Sequence, residues 1–434
     1  MNQSISNPAL SGPVMEQAGK SQWKLLLGIA LLERICYYGV RSLFALYLIQ
    51  RLRLPRADAG LVYEAATVLI YLLPVLGAWF ADRWWGPVRT LRVGSLLLVL
   101  GGIGAFVSGL LPADGPAAEP AFLVGIGLIT AATSLFKPAY YAVAGHLTRE
   151  QPAPDLPLLF WVMLVVNVGA FLAPLLIGSL GDTGNPEDFR WGFLSCVVLS
   201  LVVAFLTRGL REPDPAAPWA APRFKWGWLV VVLMAVGAVL VMLYHLPVAE
   251  SWVTLLEAGG AVVLLLALVR DPAAAAFRKL GSPLWLLGVS FLGLVANFGG
   301  SQFMQTTLLG DKPLNPSGLI LLSFVFIAGG WFWSKRRQEP GKSPGRRVLL
   351  WALIALFIGL AACLVPLFQS SGLLLTLTGF GALLLLFCFE TAWNVLIPVV
   401  LAREVAPHLL ARSIALFFLL FTLAYKASGF LFGS

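Results

Sequence analysis

Residues 31–48 read LLERICYYGVRSLFALYL, an apolar stretch interrupted by charge. With 3.6 residues per helical turn, spacings of three, four and seven residues place side chains on one face. That face would carry a polar stripe: Arg34, Tyr37, Tyr38 and Arg41. Charges inside hydrocarbon are costly and therefore face a hydrated cavity or a partner. The stretch predicts a membrane-spanning helix with a functional polar side.

The composition of the whole chain indicates the same class of protein. Of 434 residues, 59% are hydrophobic and 12% are charged, against about 25% charged in soluble domains. This excludes a soluble globular protein and a disordered chain. The four cysteines lie in apolar stretches and form no CxxC motif, so we predict neither a disulfide framework nor a metal site.

Apolar stretches of about 20 residues predict an all-α polytopic membrane protein with thirteen spans. They lie near 23–50, 58–80, 88–111, 120–146, 156–181, 190–210, 226–246, 249–269, 282–309, 315–334, 347–369, 372–402 and 408–431. With the N-terminus inside, 21 of the 30 Lys and Arg residues fall on the cytoplasmic side and five outside. This bias predicts a cytoplasmic N-terminus and explains the net charge of +9 without nucleic acid.

The spans divide the chain into groups of six, two and five. We predict a cytoplasmic tail (1–22), an N-terminal six-helix bundle (23–211), a proline-rich cytoplasmic linker (212–225), a transmembrane hairpin (226–270) and a C-terminal bundle with five visible helices (271–434). A six-plus-six transporter with an inserted hairpin would have this layout if it lacked its last core helix.

Further ionisable residues inside spans predict one hydrated chamber near the middle of the membrane. Glu33 lies about 100° from the stripe and is expected to face Lys137 of the fourth span rather than its neighbour Arg34. Glu390 would balance an arginine or the ammonium group of a ligand. The alternative is that these charges only lock helices together. No functional role is assigned to Glu257, read as a packing or lipid-interface residue, or to Lys426, expected to reach the outer surface.

Four motifs resemble the proton-dependent oligopeptide transporters of the major facilitator superfamily. The stretch 31–48 is similar to their first-helix signature ExxERFxYYGxRxxLxxYL. YLLPVLGAWFADRWWGPVRT (71–90) resembles their second helix and the superfamily loop GxxxDRxxGR. LFKPAYYAVAGHL (135–147) and FWVMLVVNVGAFLAPLLIG (160–178) resemble the fourth and fifth helices. Weaker similarities lie at 314–323 and 389–407.

The resemblance implies two helical bundles that rock around a central site for a zwitterionic peptide. The substrate-binding positions would be Arg34, Tyr37, Tyr38, Arg41, Tyr71, Lys137, Asn167, Gln302 and Glu390. Proton coupling would involve Glu33, Lys137 and Glu390, and gating would involve Gly77, Asp82, Arg83 and Gly86. The resemblance further implies a proton gradient as driving force, no cofactor, a bacterial inner-membrane location and compatibility with a monomer.

Departures from the signature leave other functions open. Ala30 stands where the family has a glutamate that takes part in proton coupling, so the resemblance does not imply the usual coupling route. Ser301 stands where the family has a gating glutamate, so that Arg41 would lose its acidic partner. Asn394 and Val395 replace a Ser-Pro pair. One alternative is a uniporter or exporter of a drug-like or conjugated metabolite, and another is a receptor that binds without transport. No HExxH, GxSxG or Walker A motif occurs, so an enzyme or ATP-driven pump is not predicted.

Overall fold

The computed structural model describes residues 13–149, 158–212, 250–270, 283–309, 344–363 and 373–432, together with residues 237, 324–325, 327–329 and 332. Throughout these ranges the regular structure is helical and no strand occurs. The predicted all-α class is therefore confirmed. The predicted spans at 226–246 and 315–334 fall almost entirely outside the described residues.

The described part of the N-terminal half contains six long helices. They are α1 (Pro13–Leu46), α2 (Arg56–Leu72), α3 (Pro87–Leu110), α4 (Ala118–Arg149), α5 (Leu158–Ala173) and α6 (Phe189–Thr207). Proline interrupts two of them, because it cannot donate the hydrogen bond that continues a helix. After α2 the chain continues as Pro74–Trp79 and the π-helical turn Phe80–Trp84, and after α5 it continues as the π-helical turn Pro174–Gly178.

Five more helices are described in the second half of the chain. They are α7 (Glu250–Arg270), α8 (Pro283–Leu309), α9 (Pro344–Ala362), α10 (Leu373–Glu404) and α11 (Leu410–Phe432). A 3₁₀ turn, Pro407–Leu409, leads into α11. Helix α7 is the second half of the predicted hairpin, and the other four belong to the predicted C-terminal bundle.

Eight helical segments in the described part of the chain are long and apolar enough to cross a membrane. They are Arg56–Trp84, Pro87–Leu110, Ala118–Thr148, Leu158–Gly181, Pro186–Thr207, Leu287–Met304, Leu377–Ala402 and Leu410–Gly429. Large apolar side chains such as Phe205 (69% exposed) and Leu292 (69% exposed) point outward from the protein, as expected for lipid-facing positions. The protein is a multi-pass membrane protein.

Close helix approaches hold each bundle together. In the N-terminal bundle α3 packs between α4 and α6, while α1 packs against α5 and α6. An added Cβ on Gly125 of α4 would lie 2.6 Å from the backbone nitrogen of Ala105 on α3, so these helices meet backbone to backbone, as small residues allow in membranes. In the C-terminal half α8 packs against α10 and α11, and α4 meets both α10 and α11 across the bundle interface.

The hairpin helix α7 is joined to α11 by a charged pair. The ammonium nitrogen of Lys426 lies 2.9 Å from a carboxylate oxygen of Glu257, whose side chain is 1% exposed. The expectation that Lys426 reaches the outer surface was therefore wrong. An intramembrane lysine is less costly beside an anion than alone in hydrocarbon, and α7 supplies that anion. On its other side α7 touches α2, because Gly260 lies against Leu72 as well as Leu419.

Candidate functional site

The carboxylate of Glu33 and the guanidinium of Arg34 form a buried bidentate pair within α1. Both hydrogen bonds, Nε to Oε2 and Nη2 to Oε1, are 2.5 Å long. Glu33 is 0% exposed and Arg34 4%. The prediction that Glu33 turns away from Arg34 and pairs with Lys137 was wrong. The Arg34 side chain is long enough to fold back across the roughly 100° that separates neighbouring helix positions. The two charge-assisted hydrogen bonds of the bidentate pair stabilise this conformation.

A second contact attaches this pair to α4. The hydroxyl of Thr133 donates to Glu33 Oε1 at 3.4 Å. The predicted helix therefore does contact Glu33, but through a residue one turn before Lys137. The guanidinium of Arg34 also lies 4.9 Å from the ring centre of Tyr37 and 5.8 Å from that of Tyr38. The polar stripe of α1 is thus a contiguous cluster.

Lys137 lies between two aromatic rings from opposite bundles. Its ammonium is 4.9 Å from the ring centre of Tyr71 on α2 and 4.4 Å from that of Phe418 on α11. Within the described ranges it forms no ion pair. Aromatic faces stabilise a desolvated cation without neutralising it. Lys137 therefore links the two bundles through its contacts with both rings.

Arg41 is held by tyrosines. Its Nε donates to the hydroxyl of Tyr63 at 2.8 Å, and its Nη1 donates to the hydroxyl of Tyr37 at 3.3 Å. Helices α1, α2 and α4 line a small cavity beside Arg41, and its walls also include Thr67 and Thr130. Among the described residues no carboxylate pairs with Arg41.

The remaining predicted binding residues lie on three helices. The side-chain amide of Asn167 donates to the carbonyl of Met163 on its own helix, α5, at 2.9 Å. Glu390 is half-buried on α10 and forms no ion pair with any residue that the structure describes. On α8, the amide nitrogen of Gln302 lies on the side of Gly429 of α11. The structure therefore brings Arg34, Tyr37, Tyr38, Arg41, Tyr71 and Lys137 into one cluster. Among the described residues, no hydrogen bond or ion pair joins Glu390 to that cluster.

The predicted gating loop is bound to the first turn of α11. Asp82 accepts hydrogen bonds from the backbone amides of Ala411 (2.9 Å) and Arg412 (2.8 Å) and from Arg412 Nε (3.2 Å). Asp82 is 4% exposed and Arg412 3%. A carboxylate at a helix N-terminus meets unpaired amides and the positive end of the helix dipole. The two bundles are thus closed together at this end.

The two predicted gating glycines, Gly77 and Gly86, act on the conformation and packing of the chain near Asp82. Gly77 allows contact between α2 and α4, since an added Cβ would overlap the carbonyl oxygen of Ser134. Gly86 has φ of 81°, a conformation that favours glycine. Arg83 is exposed.

Sequence reasoning missed several members of the site. Phe418 and Arg412 lie on α11, Tyr63 on α2, and Thr133 on α4. An aromatic or hydroxyl residue in an apolar span carries no signal of its own, because most such residues only pack. The arginine near the start of the last span could have been found as the partner of Asp82.

Comparison with known proteins places the chain among membrane carriers. The profile of the Major Facilitator Superfamily matches residues 26–427. An uncharacterized transporter of Bacillus subtilis (strain 168), YclF, is 29% identical over 227 residues, which are 48% of this chain and 43% of that protein. A di-/tripeptide transporter of Lactococcus lactis subsp. lactis (strain IL1403) is 26% identical over 348 residues, 70% of this chain and 67% of the relative.

Human solute carrier family 15 member 2 is 29% identical over 208 residues, 46% of this chain and 28% of that protein. Two solved structures share the fold. A peptide transporter POT in complex with sulfate has a TM-score of 0.51 at 21% identity, over 95% of this chain and 93% of the other. A structure concerned with substrate recognition in proton dependent oligopeptide transporters has a TM-score of 0.52 at 21% identity, over 95% and 96%. The chain belongs to the Major Facilitator Superfamily, and within it is similar to the proton-dependent oligopeptide transporters.

Proposed function

We propose that the protein is a proton-coupled symporter of dipeptides, tripeptides or similar small zwitterions. The observation that carries the proposal is the state of the cations in the cluster. Arg34 is already paired with Glu33, whereas Lys137 and Arg41 contact aromatic and phenolic groups and form no ion pair with any described residue. Such cations suit the carboxylate of a peptide. Glu390, on the opposite bundle, would bind the peptide's ammonium group.

Proton coupling would act through the Glu33–Arg34 pair. A proton on Glu33 removes the negative charge that holds the Arg34 guanidinium, so Arg34 becomes free to bind an anion. Loss of the proton reforms the pair and expels that anion. Proton binding and substrate binding would then favour each other, as symport requires. The binding roles of Tyr37, Tyr38, Tyr71, Asn167 and Gln302 follow from their similarity to family positions.

The bond between Asp82 and α11 would be the gate on the cytoplasmic side. The 21-to-5 bias of Lys and Arg supports a cytoplasmic N-terminus, and that orientation places the end of α2 and the start of α11 inside. A bacterial inner-membrane location and a monomeric carrier without cofactor are part of the proposal. A proton gradient would supply the energy.

Uptake by proteoliposomes tests the proposal. Purified protein is reconstituted and supplied with radiolabelled alanyl-alanine, with and without an imposed gradient that is acidic outside. We expect accumulation above the external concentration only with the gradient. Failure of any di- or tripeptide to accumulate or to compete for binding would reject peptide symport.

A second candidate is facilitated transport of another solute without proton coupling. Ala30, which stands at a usually acidic family position, is fully buried and cannot bind a proton. Uptake that follows the solute gradient but ignores the pH gradient would favour this candidate. Ligand binding without counterflow would instead favour a receptor.

A further inference from the structure

Helix α8 presents a polar stripe to the interior of the protein. Asn297 is 0% exposed and Ser301, one turn later, is 5% exposed. Both polar atoms of the Asn297 amide and the hydroxyl of Ser301 are buried without a hydrogen-bond partner among the described residues. A buried polar group without a partner costs free energy, and the cost is larger away from water. A transported solute would offer the missing partners.

Helix geometry defines the direction of this stripe. Leu294, Asn297, Ser301 and Met304 recur at spacings of three and four and are all at most 5% exposed. The opposite face carries Leu292 (69%) and Phe303 (38%). The stripe is therefore the buried face of α8, not its lipid face.

Contacts on either side of the stripe define the direction that it faces. On one side, Gly293 and Gly300 lie against Phe389 and Leu386 of α10. On the other, the ring of Phe298 contacts Phe421 of α11 at 5.0 Å. Asn297 and Ser301 therefore point between α10 and α11.

The same two helices form the wall that faces the N-terminal bundle. Helix α11 reaches Lys137 through Phe418. On α10, Glu390 directly follows Phe389, which lies against Gly293. Gly293 is about one turn from Asn297 along α8. Glu390 therefore lies on the helix that packs beside the Asn297 stripe, and a peptide whose ammonium group binds Glu390 would carry its first amide about one residue length further on.

We propose that Asn297 and Ser301 form a neutral subsite that binds the first peptide group of the substrate. A side-chain amide supplies a donor and an acceptor, which match the C=O and N–H of a peptide bond, and the serine hydroxyl supplies one more of either kind. The inference rests on the proposed function and narrows it to solutes that carry an amide next to an ammonium group. The C-terminal bundle would then recognise the substrate by hydrogen bonds from Asn297 and Ser301. At the position of Ser301, the resembling family has a charged glutamate instead.

The test compares alanyl-alanine with its ester analogue, alanyl-lactate, which lacks the amide N–H. Apparent affinity is measured by competition in reconstituted protein for the parent, Asn297→Leu, Ser301→Ala and Ser428→Ala. Ser428 is the matched control, since it is fully buried on α11 and its hydroxyl binds the carbonyl of Tyr425. We expect the parent to prefer the peptide over the ester at least tenfold, and Asn297→Leu to reduce this ratio to about twofold. Ser428→Ala should leave it unchanged.

Thermal unfolding without ligand gives a second, independent result. Asn297→Leu removes an unpartnered buried amide at nearly constant volume, so it should raise Tm by about 2 °C. A lowered Tm, or an unchanged peptide-to-ester ratio in a variant that still folds, overturns the subsite. If the parent itself binds no peptide, the proposed function fails, and with it the assignment of the amide ligand.

Discussion

Asp82 and Arg412 join the two halves of the protein by three hydrogen bonds at one end of the membrane domain, two of them made by Arg412 itself. The carboxylate accepts from the backbone amides at the start of α11 and also from the side chain of Arg412, the third residue in that helix. The guanidinium of Arg412 is held in turn by the carbonyl of His408 at 2.9 Å. Separation of the bundles at this end must break all these contacts between Asp82 and α11.

Asp82→Asn should loosen this gate. The substitution retains an acceptor but loses the negative charge, and hydrogen bonds that involve a charged group contribute about 1.5–3 kcal/mol. We expect faster labelling of a cysteine introduced beside Ala411 by a reagent added from the cytoplasmic side. Arg208→Ala, at an exposed position just after α6 and outside the gating loop, is the control. Equal labelling in both variants would contradict the gate.

Glu33→Gln should uncouple transport from protons. Glutamine cannot exchange a proton, so accumulation driven by a pH gradient should fall at least tenfold while counterflow of unlabelled for labelled peptide persists. The measurement is uptake with the outside at acidic and at neutral pH. Glu187→Gln removes a half-exposed carboxylate outside the cluster and should behave like the parent. Gradient-driven accumulation by Glu33→Gln would rule out this coupling route.

The buried pair of Glu33 and Arg34 also predicts how the Tm of single and double variants should compare. Removing one member of a buried ion pair leaves an uncompensated charge, which costs about 3–5 kcal/mol. Glu33→Gln and Arg34→Gln should each lower Tm in detergent. The double variant should be more stable than the Glu33→Gln variant, because no unpaired charge remains. A double variant that is the least stable of the three would contradict the assignment.

Phe418→Leu should remove a link between the bundles. A cation over a ring in a desolvated site gains up to about 2 kcal/mol, so the variant should be destabilised. The loss should shrink when Lys137 is replaced by Met, because the ring then has no cation to bind. Phe421→Leu is the control, since Phe421 packs on Phe298. A loss independent of residue 137 would mean that Phe418 only fills space.

Glu257 and Lys426 predict that the hairpin helix is anchored to α11. Glu257→Gln or Lys426→Met alone should lower stability by about 1–3 kcal/mol, since the partner charge stays in the membrane. Exchange of the two residues should restore most of the loss. The pair of Arg53 and Asp114, with side chains 74% and 79% exposed, should contribute less than about 1 kcal/mol. Tm measurements decide the outcome, and equal losses in the single and exchanged variants would contradict the pair.

The sequence by itself determined the all-helical membrane fold and the set of charges inside it. Apolar runs of spanning length fix the class because backbone groups in lipid must satisfy one another within a helix. The stripe on α1 follows from helical period alone, as does the exclusion of Glu33 from that stripe. The family followed from motifs along the chain, and the superfamily was confirmed over residues 26–427.

Only the tertiary structure decided which charge meets which. The helical period determines the direction in which a side chain leaves the backbone. It does not determine the position of the charged group at the end of a long Arg or Lys side chain. Arg34 therefore folds back onto Glu33, and Lys426 turns to Glu257 rather than outward. The rings beside Lys137 and the packing around Asn297 and Ser301 of α8 arise from helices distant in sequence, whose contacts depend on packing that no local pattern encodes.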